Sequence, residues 1–436
     1  MKYFYPMNKF LALFFTIVLI YQSSYSQYRS ITSASDIGRL NSSIFSQNRF
    51  AGQLSAAYVG NFTTNFQNPA SYADATLTAV EVGANSISGT YHVEDSSNSS
   101  GGLGINHFSM LFPLTPGKSG LSMGFLRNAS TDYSIRKNGV DNTFGSFSNQ
   151  LKGFGNTYQA YIGTGFRIKN LKLGANLGFV FGQTEHTNDI VFPDSTHIPR
   201  LVNRNIISEF GIQYTLGAQY EWKIAKEKQA VLGMYYASAL SKNGTNELRR
   251  QNAFDRSGIT EFVILKDSSF TTELPKYSKL GIGASLINNK TTLIGAEFTL
   301  ESFSGFRSKL TNENLQDAWH IHLGAEFKPF MSRDLDARKY FNRLTYRAGA
   351  VLGKSEQNFE GTVNDIKFMG GATLPVFGRN IGYITLGAEY GIRGFGGQKN
   401  QLYENIKNCF HKYSNTYCKI EIRTLKIKSE HDFEVE

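Results

Sequence analysis

Strict two-residue alternation, repeated over segments of ten residues or more, constrains this chain more than any other feature. Across 171–181 the odd positions are Leu171, Leu173, Ala175, Leu177, Phe179 and Phe181, with Lys172, Gly174, Asn176, Gly178 and Val180 between them. In the preceding segment Tyr158, Ala160, Ile162, Thr164, Phe166 and Ile168 share one face, and Gln159, Tyr161, Gly163, Gly165 and Arg167 the other. The pattern returns over 319–327, 344–352 and 384–392. Such a period puts apolar side chains on one side of a strand and small or polar ones on the opposite side. A tilted strand of about 9–11 residues crosses a bilayer, whereas strands of soluble sandwiches run to about 5–6. Length and repetition therefore favour an all-β, transmembrane antiparallel barrel over a soluble sandwich.

Thirteen spanning segments are readable: 76–92, 102–113, 119–135, 153–168, 170–184, 206–223, 229–241, 277–288, 291–303, 317–328, 342–353, 366–375 and 382–394. Short links at 116–120, 169–170, 224–228, 288–290 and 377–380 alternate with long polar ones at 185–204, 241–273 and 301–316. Short turns on one side and long loops on the other are the habit of outer-membrane barrels. The link 328–341 is longer than its place in that scheme predicts. An open edge in lipid leaves backbone groups unpaired, so an even count of about 14 strands is required and a further strand must follow Gly394. The tail 401–436 offers only a short alternating piece around Ile420, Ile422 and Leu425, crowded by charges, and ends on Glu436. It reads either as a divergent closing strand or as an altered reading frame near Glu404 or Asn405.

Composition agrees with a barrel. Charged residues are 18% and aromatics 14%, with 42 glycines against 9 prolines. Beyond the N-terminus no apolar run approaches the roughly 18–20 residues of a spanning helix. Lys2 and Lys9 precede the apolar stretch 10–21, and Ser24-Tyr25-Ser26 supplies small residues for cleavage before Gln27. This reads as a signal peptide over 1–26, with Met7 an alternative start. A short anchoring helix is the other option, but the stretch is too short to span comfortably. Cys409 and Cys418 could pair in an oxidising periplasm, and with His411 they fall short of a metal site. The net charge of +10 suits anionic lipid head groups, lipopolysaccharide or acidic ligands. The basic residues are scattered rather than gathered on one element, so no nucleic-acid partner is expected.

About fifty residues between the cleavage site and the first strand do not alternate, and they contain Asn68-Pro69-Ala70. That tripeptide, just ahead of the first strand, resembles the Asn-Pro-Ala box in the N-terminal hatch of FadL-type long-chain fatty-acid transporters. Other stretches look similar: 161–165 running through 171–175 to Phe181-Gly182, Leu274-Pro275, and Tyr346-Arg347-Ala348-Gly349. The resemblance covers about 30–400. It implies a 14-stranded barrel at 76–400 plugged by residues 27–75, in the Gram-negative outer membrane, passing hydrophobic small molecules such as long-chain fatty acids by passive, plug-gated diffusion. Some FadL-type barrels instead serve type IX protein secretion, and a structural or porin-like barrel is a third reading. Without the resemblance, Asn68-Pro69-Ala70 reads equally well as an ordinary turn leading into a strand. Pro69 fixes its own φ and pushes Asn68 to an extended conformation, from which Asn68 can bond neighbouring backbone.

His320, His322 and Glu326 share the predicted inner face, joined by Arg347, Glu389 and Arg393, with Glu297 and Glu301 beside them. A His-x-His pair can hold a metal, but hydrogen bonding within a polar lumen is the plainer role. An inward arginine could meet a ligand carboxylate, and structural pairing fits it better. There is no Gly-x-Ser-x-Gly elbow, His-Glu-x-x-His helix or phosphate loop, so no catalytic residue and no cofactor is assigned.

Overall fold

A computed structural model of the chain describes residues 33–34, 38–40, 44–60, 63–93, 96–194, 198–256, 259–274, 276–303, 315–329, 340–358, 362–376, 382–395, 403–407 and 419–426. The signal segment, Cys409, Cys418, His411, the link 377–380 and most of 328–341 lie outside the described residues.

A two-residue strand β1 (Arg39–Leu40) precedes β2 (Thr78–Val93), β3 (Ser96–Thr115), β4 (Ser119–Asp141), β5 (Gly145–Ile168), β6 (Leu171–Val191), β7 (Arg200–Ala225) and β8 (Lys228–Arg256). There follow β9 (Ile259–Glu273), β10 (Ser278–Asn288), β11 (Thr292–Ser302), β12 (Ala318–Phe327), β13 (Thr345–Asn358), β14 (Thr362–Val376), β15 (Gly382–Phe395), β16 (Tyr403–Lys407) and β17 (Lys419–Lys426). All thirteen segments read from the alternation are strands. Their pairing is antiparallel throughout, each with the next from β2 to β8, then β8 with β10, and onward to β15. Both β16 and β17 lie between β15 and β2, so the pairings come back to the first strand and occupy fourteen positions. The two pieces of the charged tail thus share the place that the alternation left vacant.

The two faces separate as their chemistry requires. Leu177 is 54% exposed while its neighbour Asn176 is 4%. Phe179, Ile162, Phe298, Ile321 and Leu323 lie on the same exposed apolar surface as Leu177, and Gln159, Tyr161, Glu297, His322 and Glu326 on the buried one. No helix among the described residues is long and apolar enough to cross a membrane.

The links expected at 185–204 and 241–273 are instead largely strand. The ladder runs on beyond the bilayer-spanning length, so that β4 to β8 reach between 21 and 29 residues. Cross-strand ion pairs hold these extensions: Arg204 is bidentate to Glu185 at 2.7 and 2.6 Å, and Arg200 to Asp189 at 2.6 Å. Polar strands with such pairs still satisfy their backbone groups against each other, which a hydropathy pattern does not reveal. The strand β9 pairs with the outer part of β8 only.

Candidate functional site

Residues 44–60 and 63–76 are packed against the polar face of the sheet. Phe50, Ala51, Ser55, Ala56, Tyr58, Asn68, Ala70 and Tyr72 are almost wholly buried. A short helix, Ser46–Phe50, contacts β13, β14 and β15, and a 3-10 helix, Pro69–Asp74, contacts β3 to β7.

Rows of glycine make this close packing possible. Gly120, Gly165, Gly174 and Gly217 stand side by side in register across β4, β5, β6 and β7. A Cβ at any of them would strike the backbone or side-chain atoms of Asn68, Pro69 or Tyr72. On the far wall Gly295, Gly324 and Gly349 form a second row, and the backbone of Ala51-Gly52 lies directly on Gly324 and Gly349. The paired Gly371 and Gly387 face the Phe50 ring. Gly52 itself has φ 72°, a conformation that favours glycine. These nine wall glycines thus stand where chain lies upon chain.

Asn68 is extended (φ −122°, ψ 93°), and its side-chain oxygen accepts from the Ala70 N–H at 3.2 Å, capping the 3-10 helix that Pro69 begins. Its amide nitrogen donates to the Ala56 carbonyl at 2.6 Å, linking two turns of the segment to each other. Asn68, Pro69 and Ala70 thus form one buried node rather than an exposed turn.

Wall carboxylates complete the attachment. Glu297 accepts from the backbone N–H groups of Ser55 and Ala56 at 2.6 and 2.7 Å. Glu326 accepts from the Tyr58 hydroxyl at 2.6 Å and from Arg347 at 2.7 Å. Burial, with Glu326 beside it, pushes the Tyr58 phenol above its ordinary value, so it remains a donor. Glu389 pairs with Arg49 at 2.6 Å. His322 places Nδ1 3.3 Å from the Gly52 carbonyl and Nε2 3.1 Å from the Thr299 hydroxyl. His320 turns the other way, 3.7 Å from Asp365, which also binds Lys367 at 2.6 Å and Arg393 at 3.1 Å. His322, Glu326, Arg347 and Glu389 therefore gather on the N-terminal segment or its partners, while His320 and Arg393 belong to a separate cluster.

A further attachment holds the end of the 3-10 helix. Lys172, completely buried, bridges Asp74 at 2.6 Å and Glu221 at 2.8 Å, and Arg167 joins both carboxylates. Two cations and two anions balance, which lets charges sit out of water. The one signal in the sequence was Lys172 on the inner face of a clean strand. Further along the inner face, level with Val180 on β6, Phe45 stacks on His107 with ring centroids 3.8 Å apart, and His107 lies 3.3 Å from Glu81.

Above the segment, toward the long hairpins, is a cavity of about 70 Å³ bounded by Phe66, Gln67, Gln159, Thr215, Tyr235 and Tyr277 among others. Among the described residues no cluster of three or more metal-binding side chains occurs.

An antiparallel sheet whose pairings return to its first strand, with an apolar exposed face and a polar face on which residues 44–60 and 63–76 pack, is the fold of an outer-membrane β-barrel protein. The chain belongs to the BamG family, whose sequence profile matches residues 7–411. In fold it is similar to the Pseudomonas putida toluene transporter TodX, at 16% identity and TM-score 0.57, over 92% of this chain and 99% of that one. The CymD monoaromatic hydrocarbon channel is similar at 13% identity and TM-score 0.55, over 91% of this chain and 100% of that one. A Pseudomonas aeruginosa FadL homologue is similar at 12% identity and TM-score 0.53, over 92% and 98%. At these identities the likeness is one of fold. No curated protein matches the sequence.

Proposed function

We propose that this protein is an outer-membrane channel for small hydrophobic molecules, with the N-terminal segment 27–75 acting as a plug that gates passive diffusion. The observation that carries this reading is the packing of residues 44–60 and 63–76, bound to the polar face by side chains from both sides of a barrel whose fold is that of TodX, CymD and the FadL homologue. Passage needs no nucleotide. The cavity of about 70 Å³ lies below the roughly 300–1,000 Å³ of a typical ligand pocket. A long-chain fatty acid therefore requires displacement of the plug, and a small aromatic molecule requires less movement. The test is uptake into liposomes containing the purified protein, with toluene and oleate as probes. Flux above protein-free liposomes for either supports the reading, and none for both refutes it.

A second reading, a component of a protein-secretion assembly, is favoured by one observation. In β9 the consecutive residues Phe262, Val263, Ile264 and Leu265 are all exposed, on a hairpin that projects beyond the ring. An apolar edge strand of that kind suits pairing with another polypeptide. Co-purification of a cargo protein that is lost on deletion of 257–265 supports this role.

A further inference from the structure

Two strands fit one edge of β4. Among the described residues the β3–β4 ladder runs from Thr115 and Ser119 to His107 and Leu126 and stops there. Yet β3 continues to Ser96 against β2, and β4 to Asp141 against β5. Beyond the stop β1 takes the edge, with Leu40 opposite Ala129 and Arg39 opposite Ser130. The Ser33 hydroxyl extends this contact, accepting from the Asp132 N–H at 3.0 Å and donating to the Asp132 carbonyl at 2.9 Å. Gly38, at φ 64°, sits so close that a Cβ would strike Thr131 Oγ1 and the Ser130 carbonyl. The ladder stops at the level where Phe125, Tyr158 and Phe181 gather, and such aromatic girdles mark the membrane interface. The edges beyond it therefore meet head groups and water, where backbone can change partners without entering hydrocarbon.

The outer half of β3 matches the same edge. Asn106 is an extra residue in the ladder of β3 with β2, and Asn128 in that of β4 with β5, so the two offset each other. Continued register sets Gly104 opposite Ala129, Leu103 opposite Ser130 and Gly102 opposite Thr131. The faces agree too: Leu103 and Ile105 are exposed, which leaves Gly102 and Gly104 on the same side as the buried Ala129 and Thr131. Serines, an asparagine and glycines fill 96–102, and polar, glycine-rich strands hold their register weakly and accept alternate pairings. Arg39, Leu103 and Gly104 already border one cavity of about 20 Å³ together with Arg127 and Ser130. Each backbone group of the β4 edge serves only one neighbouring strand. We propose that β1 is an exchangeable strand, which alternates with the outer half of β3 on Ala129 and Ser130 of β4. Leu40 packs with Phe303, Ala318 and Tyr277, far from β4 in the pairing order, and Tyr277 borders the cavity above the packed segment. Release of β1 thus withdraws Leu40 from beside that cavity while β3 zips to β4 and completes the wall.

The exchange concerns the wall and stands or falls independently of what the protein passes. Disulfide trapping of the full chain in lipid vesicles tests it, in a background carrying Cys409→Ser and Cys418→Ser. Leu40→Cys with Ala129→Cys reports β1 on β4, and Leu103→Cys with Ser130→Cys reports β3 there, since opposed residues of a ladder lie within disulfide reach. Gly38→Val, which forces β1 off the edge, should slow the first pair at least tenfold and speed the second at least tenfold. Leu40→Ala removes only that side chain's packing and should speed the second pair about threefold. A third pair, Ala160→Cys with Phe179→Cys on the β5–β6 ladder, should form at one rate throughout, which shows that the sheet is folded. A faster second pair in either variant, with the third unchanged, supports the exchange. A second pair that neither variant speeds overturns it, whether or not β1 has left the edge.

Discussion

Lys172 and Asp74 meet at 2.6 Å across 98 residues of chain, the lysine wholly buried on β6 and the aspartate at the end of the 3-10 helix. Removing one member of a buried pair leaves its partner uncompensated and costs about 3–5 kcal/mol. Lys172→Met should therefore loosen the C-terminal end of the packed segment, seen as faster hydrogen exchange at 69–75 and larger current fluctuations in planar bilayers. Adding Asp74→Asn should recover part of the loss. Equal exchange in Lys172→Met and the parent would mean that this pair does not hold the segment.

The glycine rows make a second prediction. Gly174→Val puts a branched side chain where Pro69 and Ala70 now lie, and overpacking costs about 1–3 kcal/mol. Gly117→Val makes the comparison at a turn where a Cβ meets nothing, although its φ of 69° adds local strain. The two are expected to differ in exchange at 66–72, which only Gly174→Val should raise.

Asn68 tests the node that the Asn-Pro-Ala resemblance drew attention to. Asn68→Ala removes the cap on Ala70 and the donor to Ala56, costing about 1–3 kcal/mol. Asn68→Asp keeps the acceptor but sets an unpaired, fully buried carboxylate against the Ala56 carbonyl, so its unfolding midpoint in urea should fall below that of alanine. An alanine midpoint equal to the parent's would assign no value to the node.

Orientation in the membrane is tested at Leu177, which faces outward beside the inward Asn176. Leu177→Arg should cost about 2–4 kcal/mol near the bilayer midplane. Asn176→Ala loses only the bond from its amide to the Phe66 carbonyl. Folding titrations into lipid vesicles should place Leu177→Arg well below Asn176→Ala, and the reverse order would invert the faces.

The outer hairpins should respond to acid. Burial holds the His186 pKa down to about 4, with its Nδ1 2.9 Å from the Tyr133 hydroxyl. In the unfolded chain the imidazole takes a proton near 6.5 and in the folded one it does not until about 4. Stability is therefore full above pH 6.5 and declines as the pH falls to about 4, by at most about 3 kcal/mol. The Arg204 guanidinium beside Glu185 holds that carboxyl below its usual value, so the pair weakens in the same direction at lower pH. Exchange along 133–136 and 184–190 should rise between pH 7 and 5, and His186→Phe should flatten that rise.

The spanning strands were legible because lipid and lumen impose opposite chemistry on adjacent residues, as at Asn176 and Leu177. The outer half of β8 and all of β9 were not, since Phe262 to Leu265 are apolar in succession and the surrounding residues polar on both faces. The inner placement of His322, Glu326 and Arg347 followed from period alone. Their partners did not, because Tyr58 and Gly52 lie in a segment without any period. Asp74 and Lys172 are separated by four strands of sequence, and nothing local to either announces the other.

The divided closing position, five residues of β16 and eight of β17, has a consequence for how the molecule is assembled. Residues 44–60 and 63–76 lie against a sheet whose closing position is filled by residues 403–407 and 419–426. The pairing of β17 with β2 joins Lys419–Lys426 to Thr78–Asn85 and so completes the sheet against whose polar face residues 44–60 and 63–76 pack. A chain halted before residue 419 would keep its first strand unpaired along that stretch in lipid, however well the rest had formed.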